Sequence, residues 1–235
     1  MKIKNIVFFA IIFLLSLLLT SFSHWKNQHR FVKITEVIFE SGSPKFLSIH
    51  LVDKMLKQNL DILPKKIKEG LDLNILELLI EKNPYVSNAE VFYYPEGSLG
   101  VKVKEQKPEV KILSDSSYYY NAEGLRIPLS DKFNPDVPVF IGKLEKHQKE
   151  DLLFLITNFK EDDFLKNQLK EIRYEWKSYY IKLHSFDFEI EFGSTNNIKE
   201  KIKKLKVFSA FQKRTKRKLN FKKINLKYNK QIVAS

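Results

Sequence analysis

Cysteine is absent from the 235 residues. No disulfide and no thiolate metal site can form, and cysteine usage says nothing about redox compartment. Histidine is scarce: His24, His29, His50, His147 and His184 are the only five. None sits in an H-E-x-x-H pattern, and neither a G-x-S-x-G elbow nor a P-loop occurs. The sequence therefore offers no catalytic, cofactor-binding or metal-binding residues. The acidic run Glu161-Asp162-Asp163 abuts Phe164 between helical segments and reads as a cap and solvated face rather than a catalytic pair. Acids are also outnumbered, 28 against 41 Lys and Arg, leaving a net charge of +13. That excess favours an anionic neighbour without choosing among nucleic acid, a phospholipid face and an acidic protein. Apolar residues make up 43%, enough for packed cores and against bulk disorder.

Charge is absent over one stretch near the N-terminus, Ile6 to Phe22. As a helix this run reaches roughly 25 Å, near the short limit for crossing a hydrocarbon core of about 30 Å. Trp25 follows at the depth of the headgroups. Lys2 and Lys4 on one side face Lys26, Arg30 and Lys33 on the other, so loop charge alone does not set orientation. Two readings stay open: an uncleaved anchor, or a signal peptide cleaved near Ser21-Phe22-Ser23. Both put most of the chain outside the cytoplasm, a setting in which a basic domain seldom meets DNA.

Beyond a linker over 23–33, "ITEVIFES" (34–41) is a short β-branched strand. Ser48 is an N-cap candidate for a helix carrying Leu51, Val52, Met55 and Leu56. Pro64 and Gly70 bound a loop. Leu71, Ile75, Leu78 and Leu79 mark one apolar face of a second helix, stopped at Asn83-Pro84. Ala89, Val91 and Tyr93 then alternate with polar or outward residues. Pro95 to Ser98 make a turn, and Leu99, Val101 and Val103 alternate with Gly100, Lys102 and Lys104. This alternation predicts one buried and one wet face. The order strand-helix-helix-strand-strand describes a small α+β module with two helices on one face of a three-stranded sheet. The wet Lys102/Lys104 face is open to a partner or simply to water.

After Pro108 the pattern changes. Short strand candidates fall at 110–113, 118–120, 137–142, 171–176, 179–183, 188–192 and 224–228. Helices interrupt them near 149–159 and 197–213, the second with Ile198, Ile202, Leu205 and Phe208 on one face. This predicts a mostly antiparallel β domain with helical insertions. The stretch 199–223 holds twelve Lys and Arg and one acid. It reads as a core-facing helix with a solvated basic surface, or as a binder of anionic lipid or polyanion.

Several motifs in this order resemble one family. They are "NPYVSNAEV" (83–91); "LGVKVKEQKP" (99–108), with Glu105 and Pro108 in a Glu-x-x-Pro pattern; and "YYYNAEGLRIPL" (118–129), where Asn121 stands at a usual Asp. "VPVFIG" (137–142), "FEIEFGS" (188–194) with "IKEKIKKLKVF" (198–208), and "INLKY" (224–228) complete the series. Together with the apolar N-terminus they resemble the FtsQ/DivIB bacterial cell-division proteins. Asn225 and Lys227 replace that family's Asp and Arg, so an ion pair between those two positions is absent.

The resemblance implies a cytoplasmic head (1–5), a transmembrane helix (6–23), a POTRA domain of β-α-α-β-β order (33–106) and an FtsQ-type β domain (107–235). It implies a non-enzymatic, single-pass inner-membrane protein, with its C-terminal domains periplasmic, acting at the septum as an essential-type divisome scaffold linking early and late division proteins. Its implied partners are the coiled-coil proteins FtsB and FtsL, added as a strand beside the last strand of the β domain, with other division proteins on the POTRA face. The residues that would carry this contact are Ile224, Asn225, Leu226, Lys227, Tyr228, Asn229, Lys230 and Ile232. Ile224, Leu226, Tyr228 and Ile232 would share one face, with Asn225, Lys227 and Asn229 on the other. A strand so near the C-terminus is expected at a sheet edge, where free N–H and C=O groups can pair with a peptide. Lys222, Lys223, Lys227 and Lys230 would suit acidic partner side chains, or merely protect an edge from aggregation. POTRA modules also occur in outer-membrane assembly and secretion proteins, which is the alternative reading.

Overall fold

A computed structural model describes residues 2–28, 34–62, 72–94, 98–215, 221–228 and 231–235. The expected turn residues Pro95–Gly97, the loop from Pro64 to Gly70, and His29, Leu71, Asn229 and Lys230 lie outside them. The chain divides into two compact units, Met1–Lys104 and Glu105–Ser235.

The first unit opens with α1 (Lys2–Gln28). Within it Val7–Trp25 has mean hydropathy 2.2 over 19 residues and none of it is buried, so it is long and apolar enough to cross a membrane. Next come β1 (Ile34–Phe39), α2 (Ile49–Ile62), α3 (Leu73–Glu81), β2 (Val86–Tyr93) and β3 (Leu99–Glu105). The sheet order is β1-β3-β2, with β1 parallel to β3 and Val37 opposite Val101. Leu99, Val101 and Val103 are buried, as their alternation predicts. Lys102 pairs with Glu40 at 3.2 Å and Glu90 at 3.7 Å, and Lys104 with Glu40 at 3.8 Å, so this face is wet but not unpaired.

Ser48 caps α2, its hydroxyl accepting from the Leu51 N–H at 3.3 Å. Asp72 caps α3 by accepting from Asn74 N–H at 3.0 Å. The apolar face of α3 differs from the expected one. Leu76 and Ile80 are buried, whereas Ile75 and Leu78 face solvent. The cause lies on the sheet edge. Glu77 accepts from the Val91 N–H at 2.8 Å and Glu81 from the Ala89 N–H at 3.0 Å. Those N–H groups belong to β2, one of the two outer strands, and satisfying them turns the helix by about one residue relative to its most apolar stripe.

The second unit is built on one sheet of nine strands among the described residues. It comprises β4 (Val110–Leu113), β5 (Tyr118–Tyr120), β6 (Arg126–Pro128), β7 (Val139–Ile141), β8 (Leu169–Glu175), β9 (Ser178–Leu183), β10 (Glu189–Gly193), β11 (Lys223–Asn225) and β12 (Val233–Ala234). Their spatial order is β12-β11-β10-β9-β8-β7-β4-β5-β6. Pairing is mostly antiparallel, with parallel contacts at β4–β7, β7–β8 and β10–β11. Helices α4 (Gln148–Glu161) and α5 (Ile198–Thr215) supply the crossovers that two of these parallel pairs need. Leu152, Leu155, Ile156 and Phe159 from α4 and Ile198, Ile202, Leu205 and Phe208 from α5 share one core with Ile112, Phe140, Ile172, Ile181, Ile190 and Ile224. The fold class is α+β with an N-terminal apolar helix, as expected. Two short strands, β6 and β12, lie outside the expected ones.

The β8–β9 turn places Trp176 and Lys177 at φ 51° and 58°. Two left-handed residues match the twist of a tight hairpin, but that conformation normally belongs to Asn-Gly. Trp176 is 91% exposed.

Candidate partner-binding edge

Three consecutive residues, Lys223, Ile224 and Asn225, make β11. It runs parallel to β10, with Ile224 opposite Ile190 and Asn225 opposite Glu191. The Glu189 N–H donates to Lys222 O and the Leu226 N–H to Glu191 O, both at 3.0 Å. Ile224 and Leu226 are fully buried and Ile232 packs against the same core. Tyr228 leaves that face and is 50% exposed. The shared apolar face therefore holds for three of its four residues, because the strand ends at Asn225 and the chain bends away.

The edge itself is displaced by one strand from where the sequence put it. After Tyr228 the chain returns as β12, pairing Val233 with Asn225 and Ala234 with Ile224. Lys222 and Lys223 N–H groups donate to Ser235 O at 2.8 and 3.1 Å, and the Ser235 N–H donates to Lys223 O at 3.0 Å. Residues Lys223 to Asn225 thus lie between β10 and β12, and β12 holds the rim. In an antiparallel ladder a residue that exchanges both bonds alternates with one whose polar groups face outward. Ser235 and Lys223 exchange both, so Ala234 turns its N–H and C=O to the open side.

The polar side of β11 is organised by a residue the sequence reading passed over. Glu191 is buried and accepts from Asn225 Nδ2 at 3.0 Å, Lys223 Nζ at 2.8 Å and Lys227 Nζ at 2.5 Å. Burial pushes its carboxyl up, but the hydrogen bonds and charges of the two lysines outweigh this and hold it below the ordinary carboxylate value. Asn225 accepts from the Lys227 N–H at 2.9 Å. The Asn/Lys pair standing for Asp/Arg therefore still organises the turn, with Glu191 supplying the missing charge. Its position was available in "FEIEFGS", where Glu189 and Glu191 alternate with apolar residues. The pairing across the α5 crossover was not.

Two further contacts fix this corner. Lys204 Nζ donates to Tyr228 O at 2.7 Å. Gly193, at φ +79°, admits the Lys227 stem, whose Cγ would stand 2.6 Å from a Cβ at that position. Of the lysines expected to meet acidic side chains, Lys223 and Lys227 are engaged by Glu191, Lys222 is exposed, and Lys230 is outside the described residues. Asp162 caps the turn after α4 by accepting from Phe164 and Leu165 N–H groups and pairs with Lys206 at 2.5 Å, a structural task. Among the described residues no group of three or more His, Asp or Glu is placed to hold a metal.

Residues 107–235 match the family model described as FtsQ/DivIB, C-terminal related. That segment is more than half of the chain. The chain belongs to the FtsQ/DivIB family. It is also 32% identical over 126 residues to the cell division protein FtsQ of Geotalea daltonii, an alignment covering 48% of this chain and 46% of that protein. The chain thus spans about half the length of the curated relative it matches. The FtsQ/DivIB match covers β4 to β12, so the edge just described lies within the family's own segment.

Proposed function

We propose that this protein is a membrane-anchored cell-division scaffold, not an enzyme, that recruits extended partner segments of the FtsB/FtsL kind by strand addition at the rim of its nine-stranded sheet. The arrangement is a short cytoplasmic head, one spanning helix, and a β-α-α-β-β module of POTRA type followed by the β domain on the far side of the inner membrane at the septum. Further division proteins would meet the first module. The supporting observation is the rim: a two-residue strand whose Ala234, among the described residues, turns its backbone N–H and C=O to the open side, with half-exposed Tyr228 and exposed Val233 beside it. The partner strand pairs with β12, which β11 supports from behind.

Ala234→Pro tests this directly. Proline there removes only the outward N–H, so the ladder to β11 survives. Capture of FtsB/FtsL-like partners by the full chain in nanodiscs is expected to fall at least about tenfold, reflecting a lost backbone bond plus a ring in the way of the added strand. The thermal midpoint should stay near that of wild type. Undiminished capture by the proline variant would remove strand addition at β12.

A further inference from the structure

The opposite rim of the sheet carries a cluster with no part in that role. Arg126 of β6 lies over the Tyr118 ring, its Cζ 4.3 Å from the centroid, and its Nε donates to the Tyr120 hydroxyl at 3.5 Å. The Tyr118 hydroxyl donates to the Tyr120 oxygen at 3.5 Å. Lys149, from α4, places its Nζ 5.8 Å from the Tyr120 ring centroid. Two cations and two phenols thus converge at one point. Among the described residues neither cation forms an ion pair: Glu123 and Glu150, the nearest acids in sequence, engage neither. Arg173 on the same sheet shows the contrast, pairing with Glu171, Glu175 and Glu189.

The cluster is held by a specific turn. Buried Asn121 accepts from the Leu125 N–H at 2.7 Å and donates to Gln106 Oε1 at 2.9 Å. Gly124, at φ +72°, leaves room for Lys149, whose Nζ donates to Gly124 O at 3.4 Å and would lie 3.0 Å from a Cβ there. The Tyr118 ring beside it and the Nε bond to Tyr120 hold the guanidinium in place before any ligand arrives. Burial pushes the Tyr120 hydroxyl up, but the hydrogen bonds from Tyr118 and Arg126 and the charges of Arg126 and Lys149 prevail and leave it below the ordinary phenol value. Tyr118 is pushed the other way, up to about 12, by burial and by its bond to Tyr120, so the two cations ease negative charge at the Tyr120 oxygen and not across the whole cluster. Leu125 and Leu129 stand exposed on either side of β6.

We propose that Arg126, Lys149, Tyr118 and Tyr120 form a carboxylate-binding site for an acidic peptide segment with apolar residues beside the acid. The planar guanidinium fork matches a carboxylate, Lys149 and the phenol add charge and hydrogen bonds, and the two leucines receive the apolar neighbours.

The test is calorimetric titration of the full chain in nanodiscs with the capped peptide Leu-Glu-Leu-Asp-Leu. Its amide counterpart Leu-Gln-Leu-Asn-Leu and inorganic phosphate are the companion probes, all at one ionic strength. The acidic peptide is expected to bind, with the amide peptide and phosphate at least about tenfold weaker. Arg126→Gln and Lys149→Gln should each cut affinity about fivefold or more, and Arg126→Lys should lose most of the Arg126 contribution despite retaining charge. Lys177→Gln, an equal charge change at a remote exposed turn, should leave it within about twofold. Unfolding midpoints identify any variant that fails to fold, and the two peptides on wild-type protein decide the matter independently of variants. Equal binding of the amide peptide, equal binding of phosphate, equal loss on Lys177→Gln, or retention by the folded Arg126→Gln/Lys149→Gln double variant would each overturn the assignment.

Discussion

At the scale of single residues, Glu191 has the largest structural consequence for the β10–β11–β12 corner. It joins β10 to both ends of β11 through Lys223, Asn225 and Lys227. Glu191→Gln keeps the shape and one hydrogen-bond acceptor but leaves two lysines without a counter-charge. Because those lysines keep partial access to water, the expected cost is about 1–2 kcal/mol, read from denaturant unfolding. The pH dependence has a definite sign. The folded carboxyl sits below its ordinary value, so its contribution is fully present above an unfolded value of about 4.3 and is lost as pH falls through the folded value. The wild-type chain should lose stability over that acid window more steeply than Glu191→Gln. Parallel curves would show that the pairing is not coupled to folding. Neither the sign nor the partners were legible in the sequence, since 34 positions separate Asn225 from Glu191. The alternation of Glu189 and Glu191 with apolar residues is visible in the sequence but names no partner for either.

At the scale of elements, legibility followed length and period. Strand β3 was readable because its alternation runs over seven residues and its inner face is buried throughout. Helices α4 and α5 were readable from apolar spacing, and α5 buries Ile198, Ile202, Leu205 and Phe208 as that spacing requires. The strands β6 and β12, three and two residues long, carry no period at all. They exist because neighbouring strands offer free backbone groups. Helix α3 was recognised but turned wrongly, for an apolar stripe cannot reveal that Glu77 and Glu81 must reach the β2 backbone. A pair of substitutions separates the two orientations. Leu76→Ala should cost about 2–5 kcal/mol as a buried deletion, and Leu78→Ala within about 0.5 kcal/mol as a surface change. Thermal or urea unfolding of both variants checks this, and equal costs would contradict the orientation of the helix.

For the molecule as a whole, the sequence separated two kinds of information. The order of motifs carried the family, which the match over 107–235 shows. The net charge of +13 did not identify a ligand, because many of its lysines answer local acids such as Glu40, Glu171 and Glu191. Arg126 and Lys149, which form no ion pair among the described residues, stand at the rim opposite β12. One sheet therefore ends in two chemically different borders, a bare backbone on one side and a guanidinium–phenol cluster on the other. The exposed hairpin tip adds a practical consequence. The chain has two tryptophans, Trp25 closing the apolar helix and Trp176 at the β8–β9 turn. Trp25→Phe thus leaves a single indole reporter, mounted on a rigid ribbon and almost wholly in water. Its emission should be strongly red-shifted and readily quenched by iodide in the reconstituted chain. Any loss of that quenching on adding a partner would report, by light alone, that something has come to rest on the tip.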